Sequence, residues 1–156
     1  MSKMAFLFPG QGSQVVGMGQ DFHQEFGFVR ELFDMAEEIS RISLRQLCFK
    51  GPMEELTRTV NLQPAVTVVN LAFLAAVQRE KGKPVVSSGH SLGEYSALNA
   101  AGVVSAVDLL QQFGQSIVRL RVIVGDRQVI QRFDKMLSPR LAVIFIGQRF
   151  VHFFSK

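Results

Sequence analysis

The chain has 156 residues, 47% hydrophobic and 19% charged, which suits one domain with a sizeable core and excludes a disordered or low-complexity chain. A single cysteine, Cys48, excludes an intramolecular disulfide framework and a cysteine-based zinc cluster. The net charge of +4 is a poor guide to nucleic-acid or membrane partners, because residues 1–110 carry nine Lys and Arg against eleven Asp and Glu, and residues 111–156 carry eight against two.

In chain order, residues 4–8 read as a buried strand stopped by Pro9-Gly10, and that apolar stretch is too short for a signal-peptide core. Val15, Met18, Phe22 and Phe26 recur at helical spacing, and Val29, Leu32, Phe33, Ala36 and Ile39 do so more strongly. Gly51-Pro52-Met53-Glu54-Glu55 marks a helix start: proline loses no needed donor in the first turn, and two carboxylates face the positive end of the helix. Pro64 opens a further helix with Ala65, Val68, Val69, Ala72 and Ala76 on one face. Its other faces are apolar too, so it is expected to be mostly buried. Gly82-Lys83-Pro84 ends it, residues 85–88 read as a second strand, and a helix from Leu92 to Ala101 is closed by Gly102. Strands alternating with helices in this way predict an α/β fold with a parallel sheet. Past Leu110, Val118, Leu120 and Val122 alternate with Arg119 and Arg121 like a strand. Residues 141–146 are another strand candidate, too short to span a bilayer.

Two segments carry chemistry. Gly89-His90-Ser91-Leu92-Gly93 is a G-x-S-x-G between a predicted strand and a predicted helix. Such a turn exposes the serine hydroxyl beside a helix N-terminus, whose free amides can hold a developing oxyanion, with Leu92 N–H the natural donor. The plainer alternative is a glycine-rich turn with Ser91 capping the helix. Pro9-Gly10-Gln11-Gly12-Ser13-Gln14 follows the first strand, where ligands gather in parallel sheets, and glycines flanking Gln11 let its amide approach a substrate carbonyl. A dinucleotide fingerprint fails there, because Val15 occupies the position that needs a small third residue.

Taken together, these two motifs closely resemble those of the malonyl-CoA:acyl-carrier-protein transacylases and related acyltransferase domains. Gly51-Pro52, Glu54-Glu55-Leu56 and Gln63-Pro64-Ala65 also look like that family at compatible spacing, and the likeness runs from residue 4 to about residue 110. The resemblance implies a partial α/β-hydrolase-like parallel sheet with flanking helices over residues 1–110, and the charge step sets off residues 111–156 as an atypical basic tail, with both a folded and a poorly ordered tail left open. It implies malonyl transfer in fatty-acid biosynthesis. Ser91 would attack malonyl-CoA, the amides of Gln11 and Leu92 would hold the oxyanion, and the phosphopantetheine thiol of acyl-carrier protein would receive the malonyl group. Gln63 looks like the family residue lining the same pocket. No cofactor or metal is implied, nor a nucleic-acid or membrane partner, and one unpaired cysteine fits the cytoplasm.

His90, next to the nucleophile, is read as structural support and Glu94 as a helix-surface residue, while His23 defaults to the polar side of an early helix. The family's carboxylate-gripping Arg, followed by Gly on the helix after the elbow helix, is replaced by Gln112-Phe113-Gly114. Arg119 and Arg121 lack that context, and His152 lacks the setting of the family's base. Two alternatives therefore stand beside the transferase reading. The chain could be an inactive fragment or binding remnant, its charge step arising from a shortened or out-of-frame 3′ end, or it could be an ordinary serine hydrolase. An incomplete sheet would leave strand edges open, so poor solubility or self-association is expected.

Overall fold

Strand β1 (Lys3–Phe8) is the middle strand of a three-stranded parallel sheet, with β2 (Val86–Gly89) on one side and β3 (Leu141–Phe145) on the other. The structure, a computed structural model, describes residues 3–114 and 141–145. Ala5, Phe6 and Phe8 of β1 are buried, as a central strand covered on both faces requires. The first strand and the parallel α/β arrangement match the expectation. The second strand lies one residue later than predicted, with Val85 exposed at its entrance. Of the two late candidates, the one at residues 141–146 coincides with β3. The alternating stretch around Val118 and Leu120 lies outside the described residues, as does His152.

Between β1 and β2 the chain forms α1 (Gln20–Glu25), α2 (Gly27–Ser40), α3 (Leu44–Lys50), α4 (Met53–Thr57) and α5 (Thr59–Lys81). Helix α2 buries Val29, Leu32, Phe33 and Ala36, the stripe its spacing predicts. Helix α5 runs through the centre, packed against α2, α3, α4 and the later helices α6 (Gly93–Ala100) and α7 (Ala106–Gly114), and is buried on nearly every face. It is long and apolar enough to cross a membrane, but most of it lies inside the fold.

Two sequence expectations are corrected, and one helix is added to them. Pro64 does not open α5 but sits inside it, five residues after Thr59. Buried apolar positions begin only at Leu62, because the first turn, Thr59-Val60-Asn61, turns even its valine to solvent, and the bond lost at Pro64 is to the carbonyl of exposed Val60. The early helix is limited to α1, preceded by turns in which Val15 and Val16 are exposed. Helix α3 has no counterpart in the sequence reading: it is seven residues long and buries only Leu44 and Cys48, too few positions to establish a period.

After β2 come α6 (Gly93–Ala100) and α7 (Ala106–Gly114), so α7 runs across the charge step at residue 110.

Candidate active site

The two glycine-bearing segments meet at the carboxyl ends of β1 and β2. Register pairs Phe8 with Gly89, so Pro9 and His90 leave the sheet side by side. The His90 amide donates to the Phe8 carbonyl at 3.1 Å, one rung beyond the ladder.

Close approach is what demands glycine here. A Cβ on Gly10 would stand 2.2 Å from the His90 carbonyl oxygen, and one on Gly93 would stand 2.2 Å from the Phe8 carbonyl oxygen. A Cβ on Gly89 would stand 2.1 Å from the Gly93 carbonyl. All three obstacles are main chain, which cannot swing aside as a side chain can. Loop, turn and helix start are thus seated backbone against backbone.

Ser91 sits in the middle of this junction with φ of 54°, in the left-handed region that costs an L residue roughly 1–2 kcal/mol. It is exposed, and among the described residues no group hydrogen-bonds to its hydroxyl. Its carbonyl accepts the Glu94 N–H at 3.0 Å, and the His90 carbonyl accepts the Gly93 N–H at 2.9 Å, which closes the first turn of α6. A trans peptide holds its C=O and N–H antiparallel. With the Ser91 carbonyl directed into α6, the Leu92 N–H on the same peptide projects from the helix N-terminus. The Leu92 side chain is buried and anchors that end.

The same reasoning orients the other loop. The Gly10 carbonyl accepts from Ser13 twice, at 3.3 Å from its amide and 2.6 Å from its hydroxyl. The Gln11 N–H, at the far end of that peptide, is therefore turned out of the loop. Gln14, buried, accepts the Gly12 N–H through Oε1 at 2.9 Å and stiffens the turn. Gln11 itself is exposed. The structure thus brings Gln11, Ser91 and Leu92 to one edge.

Gln63, half-buried, lies near the start of α5, two helical turns before Asn70 on the same stripe. Asn70 and Ser96 were missed in the sequence. Asn70 Nδ2 donates to the Pro9 carbonyl at 3.1 Å and to Ser96 Oγ at 3.2 Å, below the site. An amide inside an otherwise apolar helix was the available signal, since a buried amide needs a partner.

His90 and Glu94 are exposed. Phe113 occupies the residue before Gly114 on α7 and packs edge-on against Tyr95, with ring centroids 5.0 Å apart. Arg119 and Arg121 lie outside the described residues. His23 is corrected: it is a half-buried ring, edge-on to Phe33 and Phe49 at 5.5 and 5.1 Å. Burial, then Arg45 and Arg30, hold its pKa below the ordinary 6.5 against Asp34 and Glu37. Burial likewise pushes the Cys48 thiol up to about 12, with Glu37 adding to it, so Cys48 is no nucleophile. A cavity of about 230 Å³ beside His23, Arg45 and Phe49 includes none of the residues at the Ser91 edge.

Residues 5–126 match the family model described as the acyl transferase domain. The chain belongs to that family. It is 49% identical over 118 residues to the malonyl CoA-acyl carrier protein transacylase of Bacillus subtilis, covering 73% of this chain and 30% of that protein. The crystal structure of the malonyl CoA-acyl carrier protein transacylase from Clostridium perfringens superposes with a TM-score of 0.67 at 39% identity, over 72% of this chain and 36% of that one. A malonyl-transacylase in complex with a type II polyketide acyl-carrier protein superposes equally well, with a TM-score of 0.67 at 39% identity, over 72% and 37% of the two chains. The chain thus spans about a third of the length of these family members.

Proposed function

We propose that the chain carries the nucleophilic core of a malonyl transferase, acting between malonyl-CoA and acyl-carrier protein in fatty-acid biosynthesis in the cytoplasm. The sheet is read as part of an α/β-hydrolase-like sheet, with residues 1–110 the acyltransferase core and residues 111–156, which supply β3, the basic tail. Ser91 is read as the serine of a nucleophile elbow. Its Oγ attacks the thioester carbonyl carbon, the carbon–sulfur bond to coenzyme A breaks, and the serine proton leaves with the thiol. The malonyl-seryl ester is then attacked by the phosphopantetheine thiol of the carrier protein, whose proton returns to Ser91. In both steps the negative charge on the carbonyl oxygen is held by the Gln11 and Leu92 amides, and Gln63 lines the same pocket. One such donor is worth about 10²-fold or more in rate.

The observation that carries this reading is Ser91 itself, exposed in a left-handed turn between β2 and α6, with the bare Gly10 backbone against the flanking His90 carbonyl and Leu92 amide. A strained serine at the carboxyl edge of a parallel sheet is unnecessary for a simple helix cap. The relatives' own activity supports malonyl as the group and a carrier protein as the acceptor. The ordinary-hydrolase alternative accounts for the serine turn but leaves the Gln11 loop without a task.

Incubation with radiolabelled malonyl-CoA and peptide mapping tests it. Label is expected on Ser91 and absent from Ser91→Ala. Label that persists in Ser91→Ala, or a wild-type chain that takes up none, overturns it for this chain. In the latter case the remnant reading would replace it.

A further inference from the structure

Asn70 stands in the middle of α5, a helix buried on nearly every face, and is 2% exposed, while its partner Ser96 is 1% exposed. A buried amide is tolerated only when hydrogen-bonded, and both protons of this one are used. The Pro9 carbonyl can only accept, so the NH₂ end of the amide must face it. Its two acceptors belong to the two halves of the proposed site: Pro9 leads into Gly10 and Gln11, and Ser96 lies on α6, the helix that begins just after Ser91. A third element, α5, therefore holds the loop and the serine helix together from beneath.

We propose that Asn70 is a positioning residue whose amide bridge sets the separation between the Gln11 amide and the Ser91 hydroxyl. The inference rests on the reading of Ser91 as the nucleophile. The Pro9 peptide is the unit next to the one that carries the Gln11 N–H, so any movement of the Pro9 carbonyl carries that donor with it. The Gly10–His90 contact prevents closer approach and the Asn70 bridge prevents separation. An error of about 1 Å in such a donor is enough to cost about 10²-fold in rate.

The test uses the full chain with Asn70→Leu, which keeps the volume and removes both donors, Asn70→Ala as a second variant, and Ser96→Ala, which keeps the Pro9 bond. Amide hydrogen exchange is expected to rise about tenfold or more in residues 9–13 of either Asn70 variant, with α2 and α3 unchanged. Ser96→Ala should leave residues 9–13 within about twofold of wild type. In malonyl-CoA labelling, the Asn70 variants should acylate Ser91 about 10- to 100-fold more slowly, with the half-saturating malonyl-CoA concentration within about twofold. Unchanged exchange at residues 9–13, or a rise spread equally over α2 and α3, overturns the bridge. Wild-type acylation rates in both Asn70 variants overturn the positioning role, and so does failure of both to fold, because a positioning residue is dispensable to the fold. A wild-type chain that takes no label while the Asn70 variants loosen residues 9–13 refutes the transferase reading and supports the bridge.

Discussion

The Ser91 junction and the block formed by α1, α2 and α3 are both well packed, by opposite means. At the junction, main chain meets main chain at Gly10, Gly89 and Gly93, and the amide of Asn70 and the hydroxyl of Ser96 bridge its two halves. In the helical block, rings fill the volume, with His23, Phe33 and Phe49 clustered together and Phe22 leaning on Phe73 at 4.2 Å. Arg45 adds charge pairing, bonded to Asp34 at 2.8 Å and to Glu37 through Nε at 2.9 Å. Rings need the right volume and accept small shifts. A site that must hold two amides at a set distance from a hydroxyl needs contacts that no rotamer change can relax, and bare backbone supplies them.

The contrast predicts where damage should appear. Phe33→Ala, in a fully buried position, should cost about 4 kcal/mol in a denaturant melt yet leave Ser91 labelling per folded molecule at the wild-type level. Gly93→Ala should cost less, about 3 kcal/mol, but abolish labelling, because the added methyl drives α6 away from Phe8. A Gly93→Ala protein that labels normally would erase the distinction between the two regions.

Acid should weaken the helical block first. The folded pKa of His23 lies below its ordinary 6.5, so the unfolded chain binds the proton more readily and stability is lost as pH falls below that value. The melting temperature should be level above about pH 6.5 and decline as the pH falls below it, with His23→Phe flattening this part of the curve. Burial opposes the charge on Glu37, but hydrogen bonds and attraction from Arg45 hold its pKa below the ordinary 4.5. Its contribution is therefore lost only in more acidic solution, and that part of the decline should survive in His23→Phe. A decline identical in both proteins would remove His23 from the account. The smallest effect is at the strained residue: Ser91→Gly should be more stable than Ser91→Ala by about 0.5 kcal/mol, the left-handed strain relieved less the added chain entropy of glycine. Equal melting temperatures would mean that the turn stores no strain.

The contrast also shows what was legible in advance. The first strand, the α2 stripe, the buried α5 and the serine turn were readable because each carries a local signal: a period, a run, or glycines at fixed spacing. Pro64 misled because helix starts are inferred from where apolar spacing begins, and the exposed first turn of α5 has none. His23 was assigned to the surface because a lone polar residue among helical positions gives no sign of the rings that close over it from α2 and α3. The Asn70–Pro9 bond joins residues 61 positions apart, and no pattern within a helix announces such a partner.

The amino-acid order alone thus dictated the alternation of strands and helices and the two glycine-flanked turns, because backbone propensity, apolar period and the steric freedom of glycine act over a few neighbouring residues. Folding decided that those turns share one sheet edge, that α5 reaches both of them with an amide, and that a half-buried imidazole packs edge-on against two phenylalanines. Each of these depends on which distant surfaces come to lie face to face, and that is settled only when the apolar faces of separate elements are buried together.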